Sequence, residues 1–183
     1  MTLRESIRKI ESAITPLYDA VEATAIARRV VCSSCGYDFS QLVVHYDDEV
    51  EIADLETIIS ELAAARPVQY VLGTAEFCGL QLSVREGVLI PRPETEELVE
   101  RVVGVADCGA RILDVGTGSG AIAISLAKMV EGTEVTAVDI SEQALQVALE
   151  NVARVGANVT VVKADALGDM SHLGLFDIIV SNP

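Results

Sequence analysis

No stretch of the 183-residue chain approaches the ~18 consecutive apolar residues of a membrane-spanning helix. The opening Met1-Thr2-Leu3-Arg4-Glu5 also lacks the basic segment and apolar run of a secretory leader. No membrane role is expected, and the expected location is the cytoplasm. Basic residues are scarce: 13 Lys and Arg stand against 28 Asp and Glu, a formal net charge of −15. That sign repels phosphate backbones at long range, which argues against direct nucleic-acid binding while leaving room for a protein partner with a basic face. The four cysteines (Cys32, Cys35, Cys78, Cys108) are too irregularly spaced for a disulfide framework. Cys32-Ser33-Ser34-Cys35 is a C-x-x-C, yet only His45 follows within reach, short of the four ligands of a structural zinc site. No metal is expected. His45 and His172 are the only histidines, and both read as ordinary surface or loop residues.

Half of the residues are hydrophobic, enough for a buried core, and the length suits one domain or a small domain beside part of a larger one. Up to about residue 65 the periodicity is helical. Leu3, Ile7, Ile10 and Ile14 lay one apolar stripe along a first helix that Thr2 can cap. A second helix is expected from Asp19 toward Val31 and a short third around Gln41–Tyr46. A fourth is expected from Asp48, with Glu51 completing a capping box, to the stop at Arg66-Pro67.

From Val68 the texture turns to β: Gln69–Leu72, a turn at Gly73, alternation over Ala75–Val84, then Val88-Leu89-Ile90. Residues 66–90 are read as a β-hairpin connector. Pro91-Arg92-Pro93-Glu94-Thr95-Glu96 suits a helix start, because proline fits the first turn and acidic side chains favour the positive end of the dipole. After Gly109 strands and helices alternate: Arg111–Val115, Ile122–Val130, Glu134–Val138, Glu142–Arg154, Val159–Val162 and Phe176–Ser181. Nearly all-apolar strands in that order predict an α/β protein with a parallel, Rossmann-like sheet covered on both faces. The expected domains are 1–65, 66–90 and 91–183.

Asp114-Val115-Gly116-Thr117-Gly118-Ser119-Gly120 falls where the first strand of that sheet meets a helix, the position at which open α/β sheets bind ligands. Glycines let the backbone approach a ligand, and the helix start offers N–H groups. Gly116 to Ala121 also fits the dinucleotide fingerprint, so the glycines alone do not separate a nicotinamide cofactor from S-adenosyl-L-methionine. Asp139, at the end of the next strand, suits ribose hydroxyls in either case. Asp114 discriminates: an anion there opposes a pyrophosphate, whereas it suits the amino group of the methyl donor. Asp165, after the third strand, sits where an adenine contact is expected.

The last strand ends in Asn182-Pro183. Class I methyltransferases acting on nitrogens of planar systems carry N-P-P-Y at this point, and the ending resembles its first half. Arg66-Pro67-Val68-Gln69-Tyr70-Val71-Leu72-Gly73, Glu76-Phe77 and Val88-Leu89-Ile90-Pro91-Arg92-Pro93-Glu94-Thr95-Glu96 closely resemble the hairpin and following helix of the HemK-type release factor glutamine N5-methyltransferases. The resemblance covers the whole chain, strongly from Arg66 onward. It implies methyl transfer from S-adenosyl-L-methionine to the glutamine of a Gly-Gly-Gln loop in a peptide chain release factor, with the N-terminal helical domain recognising that protein.

By the same resemblance, Asp114, Gly116, Thr117, Gly118, Ser119, Gly120 and Asp139 hold the donor, with Asp165 and Ala166 at the adenine. Asn182 and Pro183 bind the substrate amide and are catalytic, and Arg92, Thr95 and Glu96 lie near the substrate cleft. Ala166 departs from the family, many of whose members carry an aromatic there; Leu167 is the neighbour expected to substitute. The resemblance further implies a seven-stranded sheet, so the natural protein is expected to be longer and the last strand to present an apolar edge here. A nicotinamide oxidoreductase and a noncatalytic binding module remain as alternatives. Titration calorimetry should give binding heat with S-adenosylmethionine and none with NADH; the reverse would select the oxidoreductase.

Overall fold

A computed structural model describes residues Met1–Pro183, folded as two units, Met1–Leu72 and Gly73–Pro183. In the first, side-chain caps set where helices begin. Helix α1 (Leu3–Ile14) opens with a capping box: Thr2 accepts the Glu5 N–H, and the Glu5 carboxylate accepts the Thr2 N–H. Its stripe Leu3, Ile7, Ile10 and Ile14 is buried. Helix α2 (Ala20–Cys35) is capped by Asp19, which accepts from Val21 and Glu22. It runs past the expected end at Val31 to Gly36, which closes it in the left-handed conformation. Helix α3 (Phe39–Val44) is capped by Asp38.

Two expectations for this unit are corrected. Helix α4 starts at Leu55 and runs to Ala63. Asp48 cannot open it, because the backbone there is engaged with the start of the chain: Leu3 donates to the Asp48 carbonyl, and Val50 donates to Met1. Val68–Leu72 is a short helix, α5, and no strand. Pro67 accepts from Tyr70 and Val71, and the resulting turn packs Val68, Val71 and Leu72 on the helical core. Partial burial of three apolar residues outweighs their β propensity.

In the second unit β1 (Thr74–Phe77) and β2 (Leu80–Ser83) form an antiparallel hairpin. Cys78 and Gly79 turn it with φ of +48° and +70°, the pair of positive values that a tight two-residue hairpin requires. Val88–Ile90 is not a strand; Val88 is buried against Ala144 and Val147 while Leu89 stays 56% exposed. Next come α6 (Glu94–Val103), β3 (Arg111–Val115), α7 (Ala121–Met129), β4 (Glu134–Asp139), α8 (Glu142–Val155), β5 (Val159–Lys163) and β6 (Ile178–Ser181). The strands form a parallel α/β sheet in the order β5-β4-β3-β6.

The steps β3 to β4 and β4 to β5 run in one direction, so right-handed connections put α7 and α8 on the same face. There Ile112, Val135, Ala137 and Val180 pack with Ile124, Leu126 and Val99. The return from β5 to β6 crosses the sheet in the opposite sense through residues 164–177, which hold only a 3₁₀ turn at Ser171–Leu173. Helices therefore pack on this face, while Leu113 and Val138, which point to the other, are buried as well. Ile179, on the other face of β6, is 66% exposed.

One buried polar side chain joins the hairpin to the glycine loop. Asn151 of α8 is fully buried. It accepts the Ser83 N–H at 2.6 Å and donates to the carbonyls of Ser83 at 3.0 Å and Ser119 at 2.9 Å. Asn151→Ala would strand these groups without partners. It should lower stability by about 2–4 kcal/mol in urea unfolding, and a change under about 0.5 kcal/mol would disprove the linking role.

Candidate active site

The glycine turn follows from β3 ending beside β4. Gly116 and Thr117 both donate to the Val138 carbonyl, at 2.9 and 3.0 Å, and Gly120 donates to Thr117 at 2.9 Å. Gly116, Gly118 and Gly120 all have positive φ. At Gly120 a Cβ would also press on Ile124 and Ala148, at 3.1 and 3.3 Å, so α7 and α8 approach closely only because that atom is missing. Gly118 donates to Asp139 Oδ2 at 2.9 Å, and Ser141 donates to Asp139 Oδ1 at 2.9 Å. These two bonds hold the Asp139 carboxylate in one orientation, and each oxygen keeps a further lone pair.

Within the turn, the N–H groups of Gly116, Thr117 and Gly120 go to protein carbonyls and that of Gly118 to the Asp139 carboxylate. Beneath the turn lies Asp114, fully buried. Its Oδ2 accepts the Thr117 hydroxyl at 2.6 Å, while Oδ1 has no hydrogen bond of normal geometry. An anion beneath the turn suits a cationic group better than a phosphate.

Strand β6 carries the second half of the site to the same place. It pairs with β3 so that Ser181 lies beside Val115, and the Ser181 hydroxyl donates to the Val115 carbonyl at 2.8 Å. Pro183 thereby reaches the glycine turn: a Cβ on Gly116 would stand 3.4 Å from Pro183 Cβ. Asn182 donates through Nδ2 to Thr95 Oγ1 of α6 at 2.8 Å. Both halves line one cavity of about 360 Å³.

Family models match most of the chain: the PrmC N-terminal domain over residues 10–73 and the Methyltransferase small domain over residues 95–183. The release factor glutamine methyltransferase of Koribacter versatilis is 39% identical over all of this chain and 67% of its own length. The chain belongs to the release factor glutamine methyltransferase family. The enzyme of that name from Bacteroides thetaiotaomicron is 40% identical over 95% of this chain and 64% of its own. The chain thus spans about half to two thirds of the length of the curated relatives it matches. The solved tRNA (uracil-54, C5)-methyltransferase of Pyrococcus abyssi, in complex with S-adenosyl-L-homocysteine, superposes on 60% of this chain and 28% of its own with a TM-score of 0.50. At 23% identity it bears on the fold alone.

The residues singled out in the sequence divide by position. Gly116, Thr117, Gly118, Ser119, Asp139, Arg92, Thr95, Asn182 and Pro183 line the cavity. Asp114 and Gly120 lie behind its wall: the first accepts from Thr117 and the second caps α7. Glu96 turns elsewhere, its carboxylate accepting the Cys78 N–H at 2.8 Å and so fastening α6 to the hairpin turn. Asp165 and Ala166 are exposed and outside the lining, as is Leu167, 97% exposed. Ile140, Leu89, Val88 and Phe77 line the cavity and went unread as site residues. Ile140, 63% exposed directly after Asp139, was the one with a positional signal.

Elsewhere, no group of three or more His, Cys, Asp or Glu side chains is disposed to hold a metal, and no helix is long and apolar enough to cross a membrane. Burial pushes the Cys32 and Cys35 thiols up from their ordinary range, which disfavours thiolate chemistry there.

Burial also raises the Asp114 carboxyl, to about 6, against the opposing pull of Thr117 and, more weakly, the Ala123 N–H; Asp139 adds a smaller push upward. Between the ordinary carboxyl range and this value the folded chain keeps a proton that the unfolded chain has released. Stability from this group therefore falls as pH rises from about 4 to about 6 and is level above. Asp114→Asn removes the effect. Measured against the parent without ligand, the variant should gain by about 3 kcal/mol between about pH 4 and about pH 7. A difference independent of pH would place Asp114 in contact with water.

Proposed function

We infer that this protein transfers a methyl group from S-adenosyl-L-methionine to the side-chain amide nitrogen of the glutamine in the Gly-Gly-Gln loop of peptide chain release factors. The observation that carries the reading is the adjacency of Asn182-Pro183 to the glycine turn in one cavity, brought about by the β3–β6 pairing. The names of the relatives point the same way. Such a substrate places the activity in the cytoplasm.

The residues present fit the donor. Asp139, held by Gly118 and Ser141, offers its remaining lone pairs to the ribose hydroxyls. The buried Asp114 beneath the turn favours an ammonium group over a pyrophosphate. Ile140 and Leu89 give the cavity apolar surface for the adenine. The donor supplies an electrophilic sulfonium methyl group: a carbon–nitrogen bond forms as the sulfur–carbon bond breaks, and the amide nitrogen then releases a proton to water.

The protein's task is to prepare the amide. Its nitrogen is a poor nucleophile because the lone pair is delocalised into the carbonyl. Asn182 Oδ1 and the Pro183 carbonyl each accept one amide N–H, which orients the nitrogen and localises the lone pair. No strong base is needed. Residues 1–65 we assign to recognition of the release factor, 66–90 to a connector and 91–183 to the donor and the acceptor amide.

The test is peptide mapping by mass spectrometry of a release factor incubated with the full-length protein and donor. The Gly-Gly-Gln glutamine should gain one methyl group. Asn182→Ala should lower turnover roughly 10²-fold with donor affinity nearly intact, whereas Asp139→Ala should weaken donor binding by about 1–3 kcal/mol. An unmodified glutamine would refute the reading, and equal loss of turnover and donor affinity in Asn182→Ala would make that residue structural.

A further inference from the structure

We propose that Gln143 is a positioning residue for the methyl donor: its carboxamide fixes the turn Arg85–Val88, which carries Gly87, Val88 and Leu89 into the wall of the donor's cavity. This rests on the functional reading above. Gln143 is not itself in the lining, whereas those three residues are.

Val88 donates to the Arg85 carbonyl at 3.2 Å, and of the two residues between them only Gly87 has a positive φ, +86°. Those are the marks of a type II turn. It differs from a type I turn in the two torsions that flank the central peptide, and so in which way that peptide faces. Here the central peptide is Glu86–Gly87. Its carbonyl accepts Gln143 Nε2 from the first turn of α8. The sense of this bond is fixed, because a carbonyl has no hydrogen to donate and only the nitrogen end of the carboxamide can meet it. The same carboxamide lies directly against Gly87: a Cβ there would stand 2.6–2.8 Å from its atoms.

Other contacts dock the flanks of the turn. Val88 is buried against Ala144 and Val147 of α8, while the Arg85–Glu150 ion pair is partly exposed at both ends and holds weakly. The bond from Gln143 acts at the centre, where glycine's freedom would otherwise let the peptide turn over. Turning it over exchanges the places of a carbonyl and an N–H, an acceptor and a donor, in a residue that borders the cavity. The turn also sits at the donor's end of that cavity. Val88 Cγ1 stands 3.9 Å from where a Cβ on Gly118 would lie, and Gly118 is the residue that holds Asp139.

The experiment uses the full-length protein with Gln143→Met, which keeps the length and removes the donor group, and Gln143→Ala, which favours the helix. S-adenosylhomocysteine is the calorimetric probe. Both variants should raise its Kd about fivefold, the scale of one hydrogen bond. Turnover of a Gly-Gly-Gln peptide at saturating donor, and the KM for that peptide, should stay within about twofold of the parent. An unchanged Kd in both variants, or a kcat that falls as far as the donor affinity, would overturn the proposal. The turn itself is read by NMR: the Gly87 amide signal should move in both variants while that of Gly156, at the far end of α8, holds. A Gly87 signal that stays, or one that moves together with Gly156, would equally overturn it. A parent protein that binds no S-adenosylhomocysteine would refute the functional reading instead.

Discussion

The parallel pairing of β3 with β6 is the constraint on which the site depends. Two segments about 65 residues apart in the chain end side by side because Val115 and Ser181 occupy the same register step, tied by the Ser181 hydroxyl. In a parallel sheet every strand presents its carboxyl end at one edge, so the loop leaving one strand meets the loop leaving its neighbour. The glycine turn and Asn182-Pro183 are neighbours for that reason. A slip of one residue in β6 would turn Val180 out of the core and carry Pro183 away from Gly116.

Around that edge the molecule uses a few polar groups whose bonds are nearly all internal. Asn151 ties the hairpin to the glycine turn, Glu96 ties the hairpin to α6, and Gly118 and Ser141 aim Asp139. Asp114 stands apart, buried with one oxygen lacking a proper partner and its carboxyl raised to about 6. An ionised group so placed opposes folding at neutral pH and is offset only when something positive comes near. The same feature separates this turn from one that cradles phosphate, which a buried carboxylate would repel.

Periodicity and turn chemistry carried the local structure well. The stripe of α1, the strands from Arg111 onward and the turn at Gly116–Gly120 are legible because each depends on neighbours within a few residues. The misread segments share one cause. Val68–Leu72 has strand-forming side chains but packs on a helical core, Asp48 is claimed by the start of α1, and Val88 serves a small cluster of its own. Distant partners outweighed local preference in each case. Site residues divide along the same line: Asp139 and the glycines are recognisable by position after strands, whereas the reach of Glu96 to Cys78 depends on packing between elements.

By itself the sequence determined the α/β class, the glycine turn with its two acids and, through the likeness of Arg66–Gly73 and Val88–Glu96, the family. These are properties of short contiguous segments, and backbone sterics and side-chain chemistry decide them locally. Only the tertiary structure decided that Asn182 donates to Thr95, that Ile140 and Leu89 line the cavity while Ala166 does not, and that Asp114 is shut away from water. Those facts depend on which strands pair and which helices cover them, contacts between residues far apart in the chain that no local pattern encodes.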